Sequence, residues 1–214
     1  MCISVIVFDF DGTLFDTRED IAAAVNYARN QYGLEELTLG EVTQMVGDGV
    51  AILAERAFRN TSVEPSSGQE LIVRYYSAHP SDYARPYPQV PETLRELNET
   101  LTIISNKPAA LVEAILEEHK LAHLFDYVAG GDTFERKKPD PMAIDYLLDR
   151  YRIGRNSILV VGDHSPDIEM ARKAGVRSVY CNFGFFGDDQ VGADFKIDSI
   201  ADLPGLLQML RAQA

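Results

Sequence analysis

The sequence predicts an α/β fold, a parallel sheet covered by helices on both faces and interrupted early by an all-helical insert. Three observations carry that expectation. Short apolar runs rich in β-branched residues alternate with helical periodicity along most of the chain. Between Asp16 and Arg85 the alternation stops and only helical patterns remain. The apolar runs also end abruptly in polar clusters, and in parallel sheets the carboxyl ends of the strands are where ligands bind.

Taken in order, Ile3–Phe8 reads as the first strand and runs directly into Asp9-Phe10-Asp11-Gly12-Thr13. In the insert, Thr17-Arg18-Glu19-Asp20 resembles a capping box with Asp in place of Glu, predicting a helix start. Ile21, Val25, Ala28 and Tyr32 then follow a helical period, as do Val50, Leu53, Ala54, Ala57 and Phe58. Thr61–Gly68 reads as a loop, and the proline-rich stretch from Arg85 as rigid and extended. Beyond it come a helix over Val90–Leu97, a strand over Leu101–Ser105 and a helix over Ala109–His119. The pattern continues with strand Tyr127–Ala129, helix Pro141–Tyr151, strand Ile158–Val161, helix Pro166–Ala174 and strand Val176–Cys181. A weaker strand falls near Phe195. The division expected is a core of residues 1–15 and 86–214 and a helical cap of residues 16–85.

The 214 residues, 46% of them hydrophobic, suffice for a sizeable core. A net charge of −13 argues against nucleic-acid and anionic-membrane partners, which favour a basic face. It equally opposes an anionic substrate, so such a substrate would need local positive charge or a metal. Cys2 and Cys181 show no zinc spacing and read as small buried thiols. With no basic leader and no apolar stretch near the ~20 residues of a membrane span, a cytoplasmic location is expected.

Four motifs carry the chemistry. Asp9 and Asp11 share one side of the strand's end, where two carboxylates make a hard-oxygen site suited to Mg²⁺. Gly12 permits a sharp turn and Thr13 adds a hydroxyl and an N–H. Ser105-Asn106 ends the second apolar strand before a helix, so hydroxyl, amide and helix-start N–H groups could hold a phosphate oxygen, or simply cap the helix. In Lys137-Lys138-Pro139, Lys138 sits on the stiff segment before the proline and is favoured as the inward cation. Gly162-Asp163 ends the fourth strand, and Asp167 follows in the next helix's first turn, where a helix-dipole role is the alternative.

In order and spacing these motifs resemble the haloacid dehalogenase superfamily of phosphatases and phosphomutases, over nearly the whole chain. The resemblance implies a Rossmann-like core with a helical cap after the first motif. It implies Asp9 as a nucleophile that becomes an aspartyl-phosphate, and Asp11 as the group that protonates the leaving oxygen and later deprotonates water. Mg²⁺ would bind the Asp9 carboxylate, the Asp11 main-chain carbonyl and Asp163, with Asp167 standing behind them. Gly12, Thr13, Ser105 and Asn106 would contact phosphate, and Lys138 would neutralise the transferring group.

The stretch Met45–Phe58 resembles phosphoglycolate phosphatase-like members, with Gly47 and Gly49 allowing the cap backbone to approach a small phosphorylated metabolite. Arg56 could close on substrate or stay solvated, and Arg85 could reach the site's mouth. His164 stands where that subgroup has a small hydroxyl residue and is expected to be a partly exposed loop histidine. Phe183, Phe185 and Phe186 could line an entrance or pack in the core. Within the superfamily, phosphomutase, pyrophosphatase and nucleotidase remain alternatives. From another class, a non-catalytic ligand-binding regulator would have been free to lose one of Asp9, Asp11, Lys138 and Asp163.

Overall fold

The computed structural model describes residues 3–187 and 192–212. Its main sheet has six parallel strands: β1 (Val5–Phe8), β4 (Thr100–Ile104), β5 (Tyr127–Ala129), β6 (Ile158–Gly162), β7 (Arg177–Cys181) and β8 (Phe195–Ile197). The order across the sheet is β5-β4-β1-β6-β7-β8. The chain builds outward from β1 to one side, then crosses to build the other, so β1 lies at the switch point. Phe8 is in register with Ile103 on β4 and Val161 on β6, so the three motif-bearing strands end side by side.

Strand periodicity explains the two-sided core. Ile6 and Phe8 face one layer, packing with Leu94 of α5 (Val90–Glu96), Val112 and Ile115 of α6 (Ala109–Glu118), and Leu203, Leu207 and Leu210 of α9 (Leu203–Ala212). Val5 and Val7 face the other, against Ile144 and Leu147 of α7 (Met142–Tyr151) and Met170 and Ala174 of α8 (Ser165–Ala174). Each fully buried side chain of this kind contributes about 1.5–3 kcal/mol of transfer free energy.

The insert holds α1 (Arg18–Asn30), α2 (Leu39–Thr43), α3 (Val50–Ala57) and α4 (Pro65–Ala78). Their apolar faces form a third cluster, with Val25, Ala28, Leu53, Phe58, Ile72 and Tyr76 buried and Leu111 of α6 joining from outside the insert. Both passages into the insert run through a short antiparallel ribbon, β2 (Phe15–Asp16) with β3 (Arg85–Pro86).

Several local expectations are corrected. The capping box at Thr17 does not form: the Thr17 hydroxyl donates to Asp11 Oδ1 at 2.5 Å instead. Asp20 accepts the backbone N–H groups of Tyr83 (3.0 Å) and Ala84 (2.6 Å), tying the outgoing segment to α1. Burial nonetheless pushes the Asp20 carboxyl above its usual range. The expected loop over Thr61–Gly68 is shorter, because Pro65 begins α4 at a position where its missing N–H costs nothing. Cys181 is a buried free thiol, as expected, whereas Cys2 lies outside the described residues.

Candidate active site

At the carboxyl edge of β1, β4 and β6, a buried charge cluster forms. Asp9, Asp163 and Asp167 each offer a carboxylate oxygen, and these atoms lie within 4.8 Å of one another. Lys138 reaches in between, with Nζ at 2.7 Å from Asp9 Oδ1 and 2.6 Å from Asp167 Oδ1. Its side chain is 2% exposed, so it is the inward cation that the Lys-Lys-Pro stretch predicted. Burial alone would lower the Lys138 pKa, but the Asp167 and Asp9 carboxylates hold it well above its usual value.

Three carboxylates against one ammonium leave the cluster under-compensated. Burial pushes the Asp9 carboxyl up to about 6, with Asp167 adding repulsion and Lys138 opposing it. Asp163 is also raised well above its usual range, by burial first and then by Asp9 and Asp167. Such a set of hard oxygens fits a divalent cation, which would remove the repulsion.

The hydrogen bonds divide the labour. Asp9 Oδ1 accepts from Phe10 N–H at 2.7 Å and from Lys138, while Oδ2 takes no hydrogen bond from the described residues. Asp163 is oriented by the Thr13 hydroxyl (3.0 Å) and Phe185 N–H (2.8 Å). Asp167 accepts from Lys138 on one oxygen and from His164 N–H (3.2 Å) on the other, so both its oxygens position neighbours. Gly12 has φ +84° and a Cβ there would lie 2.2 Å from Asp163 Oδ2, so only glycine fits the turn.

Three expectations need correction. Asp11 does not point into the acidic cluster. Its Oδ1 accepts from Thr17 and from Lys107 Nζ (3.0 Å), because β1 ends at Phe8 and strand alternation no longer governs Asp11. The Thr13 hydroxyl is buried against Asp163 and does not line the cavity. The Asn106 amide donates to Gly47 O (2.9 Å) and Lys138 O (3.1 Å), bridging insert and core, so its Nδ2 is committed to backbone carbonyls. Ser105 is buried, lines the cavity and accepts Lys107 N–H at 3.3 Å.

Above the cluster lies a cleft of about 690 Å³ including its open mouth, lined by Asp9, Asp11, Ser105 and Asn106 below and by insert residues above. Gly47 and Gly49 both line it. Gly47 has φ +114°, and a Cβ would stand 2.3 Å from His164 Nδ1. Arg56 does not face the cleft: it donates to Met45 O at 2.8 Å and pairs with Asp48, bracing the glycine loop. Arg85 turns back to Ala84 O (2.6 Å) and is absent from the lining. Phe185 and Phe186 line the cleft, with Phe186 stacked on His164 at 4.1 Å, whereas Phe183 packs on Tyr87.

Sequence reasoning missed Lys107 and Tyr76. Lys107 Nζ is buried between Asp11 and the Tyr76 hydroxyl, which accepts from it at 2.6 Å. The signal was adjacency: Lys107 directly follows Ser105-Asn106 at the end of a motif strand.

Comparison with known proteins identifies the family. The profile of the haloacid dehalogenase-like hydrolase family matches residues 6–181. A phosphoglycolate phosphatase of Aliivibrio fischeri is 36% identical over 211 residues, covering 94% of this chain and 92% of the relative. A phosphoglycolate phosphatase of Aquifex aeolicus is 34% identical over 206 residues, covering 95% and 96%. A crystal structure of a predicted phosphoglycolate phosphatase from Haemophilus somnus superposes with a TM-score of 0.91 at 28% identity, covering 95% of this chain and 97% of that one.

Proposed function

The chain belongs to the haloacid dehalogenase-like hydrolase family, and from that premise we propose a phosphatase that cleaves a small phosphomonoester, phosphoglycolate foremost, through an aspartyl-phosphate. The observation that carries the reading is the convergence of Asp9, Asp163, Asp167 and Lys138 at one sheet edge, beneath a cleft roofed by the insert. The named substrate of the relatives supplies the preference for phosphoglycolate.

Asp9 Oδ2 attacks phosphorus while Oδ1 stays held by Phe10 N–H and Lys138. The ester P–O bond breaks, and the leaving oxygen takes its proton from Asp11. Asp11 then takes a proton from a water, which attacks the aspartyl-phosphate, releases phosphate and restores Asp9. Lys138 places positive charge beside the transferring group, and Asp167 keeps it there. Asp9, Asp163 and the Asp11 main-chain carbonyl would hold Mg²⁺, which would offset the negative charge of nucleophile and phosphate together. The division into a core of residues 1–15 and 86–214 and a cap of 16–85 suits this scheme, since the ribbon carries both crossings.

The membership and the site together favour a phosphorylated metabolite over a nucleic acid, and no helix among the described residues is long and apolar enough to cross a membrane. The test is release of inorganic phosphate from a panel of phosphomonoesters, with Mg²⁺ or EDTA, against Asp9→Asn. Release that needs both Asp9 and the metal is expected. Equal release by Asp9→Asn would refute the nucleophile, and sugar-phosphate isomerisation without release would move the chain to the phosphomutases.

A further inference from the structure

We propose that Lys107, set in place by Tyr76, anchors a carboxylate carried by the leaving group, and so selects phosphorylated hydroxy acids over neutral phosphate esters. This rests on the phosphatase reading above.

The argument starts from charge. Lys107 is the sole lysine or arginine among the described residues lining the cleft. Lys138 is already shared by Asp9 and Asp167. The cleft's other nitrogen base, His164, is stacked flat on Phe186. The upper wall is apolar, with Ile21, Val50, Leu53, Ile72 and Leu111. An ionised carboxylate set against that wall alone would be desolvated and unpaired. If the leaving group bears one, Lys107, though paired with Asp11, is the lining cation placed to meet it.

Position agrees. Lys107 Nζ lies 3.0 Å from Asp11 Oδ1, and Asp11 is the group that gives its proton to the leaving oxygen. The ammonium therefore sits on the leaving-group side of the reaction. In a glycolate leaving group the carboxylate carbon is two bonds from that oxygen, within reach of the same ammonium. Tyr76, on α4, fixes Nζ from the insert: its hydroxyl accepts at 2.6 Å and its ring lies 4.3 Å away.

Burial agrees as well. The lysine side chain is 4% exposed, so an unpaired ammonium there is disfavoured. A substrate carboxylate offers this buried ammonium a further counter-charge, and a neutral ester offers none.

The experiment compares kcat/KM for phosphoglycolate and 2-hydroxyethyl phosphate, alike in length but differing in the carboxylate, in wild type, Lys107→Met, Lys107→Arg and Tyr76→Phe. A wild-type preference of about 10²-fold for phosphoglycolate is expected. Lys107→Met should bring the two esters to within several-fold, and Lys107→Arg should keep most of the preference. Tyr76→Phe, which removes the hydroxyl that fixes Nζ, should lower the preference without abolishing it. Equal losses on both esters in Lys107→Met would show a lysine that acts only through Asp11, and would overturn the inference. So would a wild type without preference. No release from either ester or from p-nitrophenyl phosphate would instead refute the phosphatase reading and take the inference with it. Should Lys107→Met not fold, glycolate and ethylene glycol are compared as inhibitors of wild-type hydrolysis of p-nitrophenyl phosphate. Stronger inhibition by glycolate supports the anchor, and equal inhibition overturns it.

Discussion

Acid should stabilise the metal-free protein, and the Asp9 cluster sets the amount. Asp9 has a folded pKa of about 6 against an ordinary value of 3.8, raised chiefly by burial. A carboxyl raised on folding binds its proton more tightly in the native state. It therefore contributes stability that is full below the unfolded pKa and is lost as pH rises through the folded one. At ~1.4 kcal/mol per pH increment the full effect is about 3 kcal/mol. Roughly half of it, on the order of 1 kcal/mol, falls between pH 5 and pH 8, because the unfolded chain is already mostly ionised at pH 5. Asp163 is raised as well and adds in the same direction. Asp16, held below its usual range chiefly by its hydrogen bond from Arg18, acts oppositely, but only as pH falls towards 4 and below, outside this window. Urea unfolding in EDTA at pH 5, 6, 7 and 8 measures the slope. The general repulsion of a chain with net charge −13 would tilt it the same way, so the deciding comparison is Asp9→Asn, which keeps the surface charge. A flatter slope in Asp9→Asn is expected, and indistinguishable slopes would refute the reasoning.

Asp11→Ala should abolish turnover while leaving Mg²⁺ affinity largely intact by calorimetry, since the Asp11 side chain is bound to Thr17 and Lys107 and stands apart from the acidic cluster. Gly47→Ala should raise KM several-fold and also lower the melting temperature, because φ is +114° there and the new Cβ meets His164 Nδ1 at 2.3 Å on a loop that forms part of the cleft wall. Gly68→Ala should cost about 1–3 kcal/mol in urea unfolding, because its Cβ would lie 2.2 Å from the buried Phe58 ring.

What is legible in the sequence depends on short-range pattern. Most strands of the main sheet and the order of the motifs follow from short apolar runs, three of which end in the polar motif residues. The inward choice of Lys138 follows from the stiffness of its Lys-Pro segment. What stays hidden depends on chain segments meeting across distance. Lys107 acquires its role only when α4 brings Tyr76 to it, 31 residues away in sequence. The Thr17 hydroxyl reads as a local cap because nothing in the sequence reports that Asp11 competes for it. The two-residue strands of the ribbon are too short for any periodicity. The α9 helix escapes for another reason. Its first turn holds Pro204 and Gly205, which weaken the helical pattern, although a proline in a helix's first turn is tolerated.

The charge ledger of the site predicts an order of binding. Asp9, Asp163 and Asp167 face a single ammonium, Lys138, while Lys107 is neutralised by Asp11. A phosphate dianion entering that cluster would meet net negative charge in a buried setting, where screening by salt is weak. A divalent cation entering first would cancel that local negative charge, and only then is the substrate no longer repelled. Phosphate or vanadate should therefore show no measurable protection or calorimetric binding in EDTA, and should bind once Mg²⁺ is present. Neutralising one carboxylate should partly substitute for the metal, so Asp9→Asn should bind phosphate in EDTA more tightly than wild type does. Equal affinity with and without metal in the wild type would mean that Lys138 and backbone donors alone govern entry, and the ordering would be refuted.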